Sequence, residues 1–275
     1  MSRKRYAGRT HAELGELLDY LADRYNQVHF IEADPVSVPH RFSKKEDIEI
    51  AAFLTATIAW GNRKAILQSA DRMMSRMGES PFDYVMEVSL PSLKKNESVI
   101  HRTFNHLDFE FFVRGLRMVY SKYGGLENAF ISGFQHGDGA GRAIHDVRNT
   151  MLLATHAARS EKHLADPLKG SSAKRINMFL RWMVRRDTRG VDFGLWSSIA
   201  PANLSVPLDV HTGNTARALG LLQRTANDWK AVCELDDALR SFDSNDPVKY
   251  DYALFGLGVD PDLAGGTFQV NAGIR

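Results

Sequence analysis

Three constellations in the sequence hold residue types that could do chemistry. The first is PLKGSSAKRINMFLRWMVRR, residues 167–186, where a glycine-containing turn (Lys169, Gly170, Ser171, Ser172) feeds a helix with Lys174 at an early position. The backbone N–H groups of such a turn, unpaired and aimed outward, suit a phosphate oxygen. The second is SVPLDVHTGNTARALGLL, residues 205–222, where Asp209 follows Pro207 as a loop becomes a helix. The third is the His145–Asp146 pair, which with His101 or His136 and a later aspartate could hold a metal for phosphohydrolase chemistry. Taken singly these are ordinary features. A lysine at a helix start faces solvent, an aspartate before a helix is an N-cap worth about 1 kcal/mol, and residue frequencies alone give about one His-Asp pair. Lys174 and Asp209 gain weight only as a pair, 35 positions apart in fitting contexts.

The elements that must position them read as helices. Leu14, Leu17, Leu18, Leu21 and Tyr25 form one apolar stripe behind a Thr10/Glu13 capping box, and Ser43/Glu46 repeats the box ahead of Ile48, Ala51, Ala52, Thr55, Ile58 and Ala59. Ile66, Ala70, Met73, Met74 and Met77 follow, stopped by Gly78. Further helices are expected over 109–122, 126–131 and 141–157, one closed by Gly220, and one capped by Asp246 with Pro247 at its first position. Only 84–90 suggests a strand. The longest breaks fall at 32–42, 133–140 and 187–208. The expected fold is all-α in two helical lobes with a central cleft. A middle lobe of roughly 64–186 faces a second lobe of the N-terminal helices plus 205–259, together one domain over 1–259, with a poorly ordered tail at 260–275.

Composition excludes several classes. The 275 residues are 44% apolar and 25% charged, an ordinary globular balance that argues against wholesale disorder. Cys233 is the only cysteine, which rules out an intrachain disulfide and any iron–sulfur or zinc centre built on several thiolates; its expected place is an apolar helical face. The uncharged stretches 50–62 and 193–208, of 13 and 16 residues, are too short to span a bilayer, and no apolar run follows the basic N-terminus. The expectation is a cytoplasmic protein without a membrane partner or an obligate protein partner. Net charge is +2 but unevenly spread: 161–190 hold eight basic against three acidic side chains, and 226–262 hold three against nine. The basic stripe is either a phosphate-tracking surface or a solvated face balancing the acidic one.

The two segments resemble the helix-hairpin-helix superfamily of base-excision DNA glycosylases. There a hairpin leads into a helix bearing a catalytic lysine, and a P-V-D segment some thirty residues later supplies a catalytic aspartate. Lys174 matches the lysine, and Asp209, in PLDVH, matches the aspartate. AKRINMFLRWM looks most like the archaeal 8-oxoguanine DNA glycosylase branch, as do IEIAAFLTATIAWGNRKAIL (48–67), like its N-terminal helix and following turn, and DPVKYDYALFGLG (246–258), like its late helix. The four-cysteine cluster of some members has no counterpart. Nearly the whole chain is also similar to an uncharacterised bacterial family sharing the WGNRKAI, RWMVR, PLDVHTGN and DPVKYDYALFGLG blocks.

The resemblance implies excision of an oxidised purine, first of all 8-oxoguanine, from double-stranded DNA, with lyase activity through a lysine Schiff base and no cofactor or metal. Lys174 would attack the sugar C1′, and Asp209 would stabilise the positive charge that builds there and help free the amine of its proton. Lys169, Gly170, Ser171, Ser172, Arg175 and His211 would contact DNA. The damaged base leaves the stack to reach such a site, and flat side chains offset part of that cost; Trp60 and Trp182 are the candidates, with Asn62 and Arg63 beside the first. The competing readings are a helical DNA-binding protein without catalysis and the His145–Asp146 metal phosphohydrolase.

Overall fold

A computed structural model describes residues 9–89, 98–136 and 139–260. It is mostly helical, with one small two-stranded sheet among the described residues. Helix α1 (His11–Tyr25) starts at the expected box: the Thr10 hydroxyl oxygen accepts the Glu13 N–H, and the Glu13 carboxylate accepts the Thr10 N–H. Helix α2 (Lys45–Thr57) starts without one. Lys44 occupies its cap position and no side chain caps it, so the Ser43/Glu46 box does not form. Helix α3 (Arg63–Met77) closes at Gly78, where φ is +76°. The segment read as a strand at 84–90 belongs instead, up to Glu87, to helix α4 (Pro81–Glu87). Ser80 caps this helix and Pro81 fills its first position, and local helix chemistry overrides the weak alternation. Residue 90 lies outside the described residues.

Strands β1 (Val99–His101) and β2 (Phe104–Asn105) pair antiparallel and lead into α5 (His106–Tyr123), which ends at Gly124. Helices α6 (Leu126–Gln135) and α7 (Gly139–Leu152) shrink the expected break at 133–140. They are followed by α8 (Lys174–Val184), α9 (Val210–Ala218), α10 (Trp229–Arg240) and α11 (Tyr250–Val259). Gly220, at φ +79°, turns the chain after α9. Asp246 makes no side-chain cap bond, and Pro247 opens a single 3-10 turn ahead of α11. The break at 32–42 is a run of 3-10 turns, whereas 187–208 holds only the short turn Pro201–Asn203. The expected tail lies outside the described residues from 261 onward. No helix among them is long and apolar enough to cross a membrane.

Two apolar clusters form the interior. The smaller joins α1 (Leu17, Leu18, Leu21) to α9, α10 and α11 through Leu219, Val232, Leu235, Leu254 and Leu257. The larger gathers α2 to α8 around Phe53, Phe112, Phe130, Phe179 and Trp196. Its membership begins at Val36 and includes Trp196 and Leu204, so α2 sits with the middle of the chain and not with α1, and the larger core runs beyond both 64 and 186. Helix α2 is buried nearly all round, and its most buried acid is satisfied: Glu49 accepts the Tyr120 hydroxyl at 2.6 Å and the Trp196 indole N–H at 2.7 Å. Tyr25 ties α1 to α11, lying so close to Gly256 that a Cβ there would come within 2.2 Å of its ring.

Candidate functional site

Lys174 and Asp209 reach the same cavity from two helix N-termini. The turn before α8 is a 3-10 turn (Pro167–Lys169) whose cap, Asp166, accepts the Leu168 N–H; Gly170 follows with φ at +91°, a value that favours glycine. Ala173, buried directly ahead of Lys174, also sits in the left-handed region at φ +48°. A non-glycine residue there carries strain of about 1–2 kcal/mol. Asp209 caps α9, its Oδ1 accepting the Thr212 N–H at 2.9 Å. Its Oδ2 lies 3.9 Å from Lys174 Nζ, and each side chain is about a quarter exposed. The amine also donates to Met178 Sδ at 3.6 Å, one helical turn on. Both line a cavity of about 710 Å³ with Tyr25, Phe30, Asp34, Trp60, Arg63, Arg175, Arg181, His211, Asn227, Asp251, Tyr252 and Phe255.

Trp60 is a fixed wall of this cavity. The Arg175 guanidinium lies 4.9 Å from its ring centre, His163 stacks on it at 5.8 Å, and His101 meets it edge-on at 5.0 Å while bonding its carbonyl. Arg63 shares the cavity and covers the Phe30 ring. Asn62 does not line it: its side chain caps α3 by accepting the Ala65 N–H at 3.1 Å. Trp182 borders the cavity but is 1% exposed, so it is packed into the core and offers no ring face. Eight residues along a helix is only roughly two turns, and the interior face of α8 takes it.

Behind the pair lies a buried ion network. Arg181 bridges Asp251 and Asp192, and Arg185 bridges Asp192, Asp187 and Asp246. Burial pushes the Asp251 carboxyl up to about 6 although Arg181 works against it, and the nearby Asp209 charge adds to the rise. The same burial acts on Arg181, yet its acidic neighbours and Tyr252 hold it above its usual value. The two directions are compatible because one guanidinium serves two carboxylates. The Thr212 hydroxyl, 3.5 Å from Asp251 Oδ1, links the network to the cap of Asp209.

This network overturns the reading of 161–190 as an outward basic stripe. Arg181 and Arg185 are interior, and Arg175 turns inward to the Thr57 carbonyl, where burial lowers its proton affinity to about 10. Arg175 is therefore a wall residue of the cavity and not part of an outward stripe. Arg189 pairs with Asp23. Lys162, Lys169 and Arg186 stay exposed. The turn's N–H groups are not free either: those of Lys169 and Ser171 bond the Asp166 carbonyl, and that of Gly170 bonds the Pro167 carbonyl. Gly170 and Ser171 are instead tied to the α9–α10 loop, through the Trp229 N–H on the Gly170 carbonyl and a bridge from Ser171 to Asp228. Ser172 lines the cavity, and His211 is exposed at its edge against Phe255.

The His-Asp pair splits. His145 bonds Asp166 at 2.9 Å, whereas Asp146 bonds His136 and Arg142. Among the described residues no group of three or more His, Cys, Asp or Glu could hold a metal. Cys233 is exposed on α10 and not on its apolar face.

Several cavity residues had escaped the sequence reading. Asp251 carried a signal, one acid inside the otherwise apolar run YDYALFGLG, the mark of a buried charge that needs a partner. Asp34 and Asn227 carried none. Asn227 donates to the Asp209 carbonyl at 3.0 Å and accepts from Arg217, so the loop that holds the turn before α8 also holds the start of α9. Residues 34–260 match a family described as protein of unknown function, DUF2400. No curated protein and no solved structure matches the chain.

Proposed function

The chain belongs to the DUF2400 family, and from its site we propose that it excises an oxidised purine, first of all 8-oxoguanine, from double-stranded DNA and then nicks the strand through a lysine imine. The observation that carries this reading is the meeting of Lys174 and Asp209, 3.9 Å apart, on a cavity large enough for a nucleotide and walled by aromatic rings. In this reading the fold is that of a helix-hairpin-helix glycosylase, with the turn 167–173 as its hairpin and the cavity as its cleft.

Asp209 relays a proton from the Lys174 ammonium to water and is left ionised. The amine lone pair attacks C1′ of the everted nucleotide, the C1′–N9 bond breaks, and its electron pair leaves with the base, which takes a proton from water. The Asp209 carboxylate offsets the positive charge that builds on the sugar, an electrostatic role worth about 3–4 kcal/mol when such a group is removed. The C1′–O4′ bond then breaks, O4′ keeps its electron pair and takes a proton that the attached nitrogen sheds, and a C1′=N iminium to Lys174 remains. Loss of a C2′ proton expels the 3′-phosphate. Trp60, held in place by Arg175 and His163, is the aromatic wall that the base would meet in the cavity. Lys169, exposed in the turn ahead of α8, and His211, exposed at the cavity edge, are the phosphate contacts this reading retains.

Borohydride with a duplex bearing 8-oxoguanine tests the proposal. A covalent protein–DNA complex is expected, retained in excess chelator and lost in Lys174→Gln. Tight binding of lesion DNA without base release would favour the non-catalytic reading, and trapping that survives Lys174→Gln would displace the nucleophile.

A further inference from the structure

Asp34 is the acid of the cavity that the proposed chemistry leaves unused. It makes no ion pair among the described residues: Arg63, Arg181 and Lys174 act on it only from a distance. Its one hydrogen bond is local. Oδ1 accepts the Val36 N–H at 3.1 Å, capping the 3-10 turn Pro35–Ser37. That bond fixes the carboxylate on the cavity wall and leaves Oδ2 without a donor. Burial accordingly raises its proton affinity. Asp34 is only partly buried, with a lone-pair edge open to the cavity, and such a carboxylate gains when N–H donors arrive from a bound ligand.

The surroundings say which donors. Phe30, Trp60 and Phe255 line the same cavity and suit a flat heterocycle. A carboxylate accepts two N–H groups that stand side by side, as it does from a guanidinium. Among purines that pattern is the N1–H and N2–H₂ edge of guanine and of its 8-oxo derivative. Hypoxanthine offers the N1–H alone, and adenine offers one amine beside an acceptor.

We propose that Asp34 reads the N1–H and N2–H₂ edge of a guanine-type base held in this cavity, making it the residue that restricts the site to 2-amino-6-oxopurines. The inference deepens the excision reading and rests on it only for how the base arrives from DNA. Once the base is in the cavity, recognition by Asp34 is independent of Lys174.

Free nucleosides test it with the full chain. Guanosine, 8-oxoguanosine, inosine and adenosine are titrated while tryptophan fluorescence is followed, with equilibrium dialysis as a second measure. Guanosine and 8-oxoguanosine are expected to bind about tenfold tighter than inosine, which lacks one donor, and tighter still than adenosine. Asp34→Asn keeps an oxygen for the Val36 cap but places an amide against the base, and is expected to erase the preference with an unchanged melting curve. Lys174→Gln is expected to keep it. Equal binding of the nucleosides, binding of none, or a preference that survives Asp34→Asn overturns the proposal. Intact preference with no borohydride trapping would sink the excision reading and spare Asp34; trapping without preference would do the reverse.

Discussion

The first and last turns of α8 carry cations of opposite character. At the last turns, Arg181 and Arg185 are buried and saturated by Asp192, Asp251, Asp187 and Asp246. At the first, Lys174 meets one carboxylate at 3.9 Å, beyond hydrogen-bond length, with both groups open to a cavity. The buried network forms the floor of the site, its charges paired with one another. The loose pair contributes little to folding and is free to change partners. The difference separates cations locked inside the fold from one that faces a cavity, at the two ends of α8.

Breaking the floor should have the largest effect. Arg181→Met leaves Asp192 and Asp251 buried with half their partners gone, and is expected to lower stability by about 3–5 kcal/mol in denaturant titrations. Lys174→Gln at the other end should change it by less than about 1 kcal/mol. Comparable losses would erase the contrast. Next in size is Asp209→Asn. Asparagine still caps α9, so melting should hold, while single-turnover excision falls about 10²–10³-fold. Unchanged turnover would remove Asp209 from the chemistry.

The third prediction concerns pH. Burial raises the Asp236 carboxyl to about 7, although it accepts the Val206 N–H at 2.8 Å, and raises that of Asp251 to about 6. A folded-state value above the unfolded one means that the native state binds the extra proton. These groups therefore add stability below about pH 4 that is lost as pH climbs through 6 to 7. The slope is at most about 1.4 kcal/mol per pH unit for each group. Urea midpoints between pH 4 and 8 should fall less steeply in Asp236→Asn; identical slopes would contradict the assignment. The smallest effect is expected at Asn227. Losing its bond to the Asp209 carbonyl should lower the excision rate about tenfold with little change in substrate affinity, and Asn227→Ser should recover part of it. A loss confined to affinity would make the loop a binding element only.

What the sequence disclosed follows from the range of the interactions. The Thr10/Glu13 box was legible because both partners lie within one turn. The Ser43/Glu46 box had the same pattern and failed because Lys44 takes the cap position. Lys174 and Asp209 were legible as a pair through the blocks around them. The stripe 161–190 was misread because a count of charges does not contain partners: Asp251 lies 70 residues from Arg181, and Asp246 lies 61 from Arg185. Trp60 could be named as a candidate, but the clamp of Arg175, His101 and His163 that holds it could not. Asp34 and Asn227 have no local signature, since each matters only for what the fold sets beside it.

Peptide mapping of the borohydride-trapped complex tests the central claim most directly. One sugar-phosphate adduct is expected, on the side chain of Lys174, formed with 8-oxoguanine duplex and absent with undamaged duplex. An adduct on Lys169 or any other amine, or no adduct under conditions where the protein binds the lesion, would contradict it.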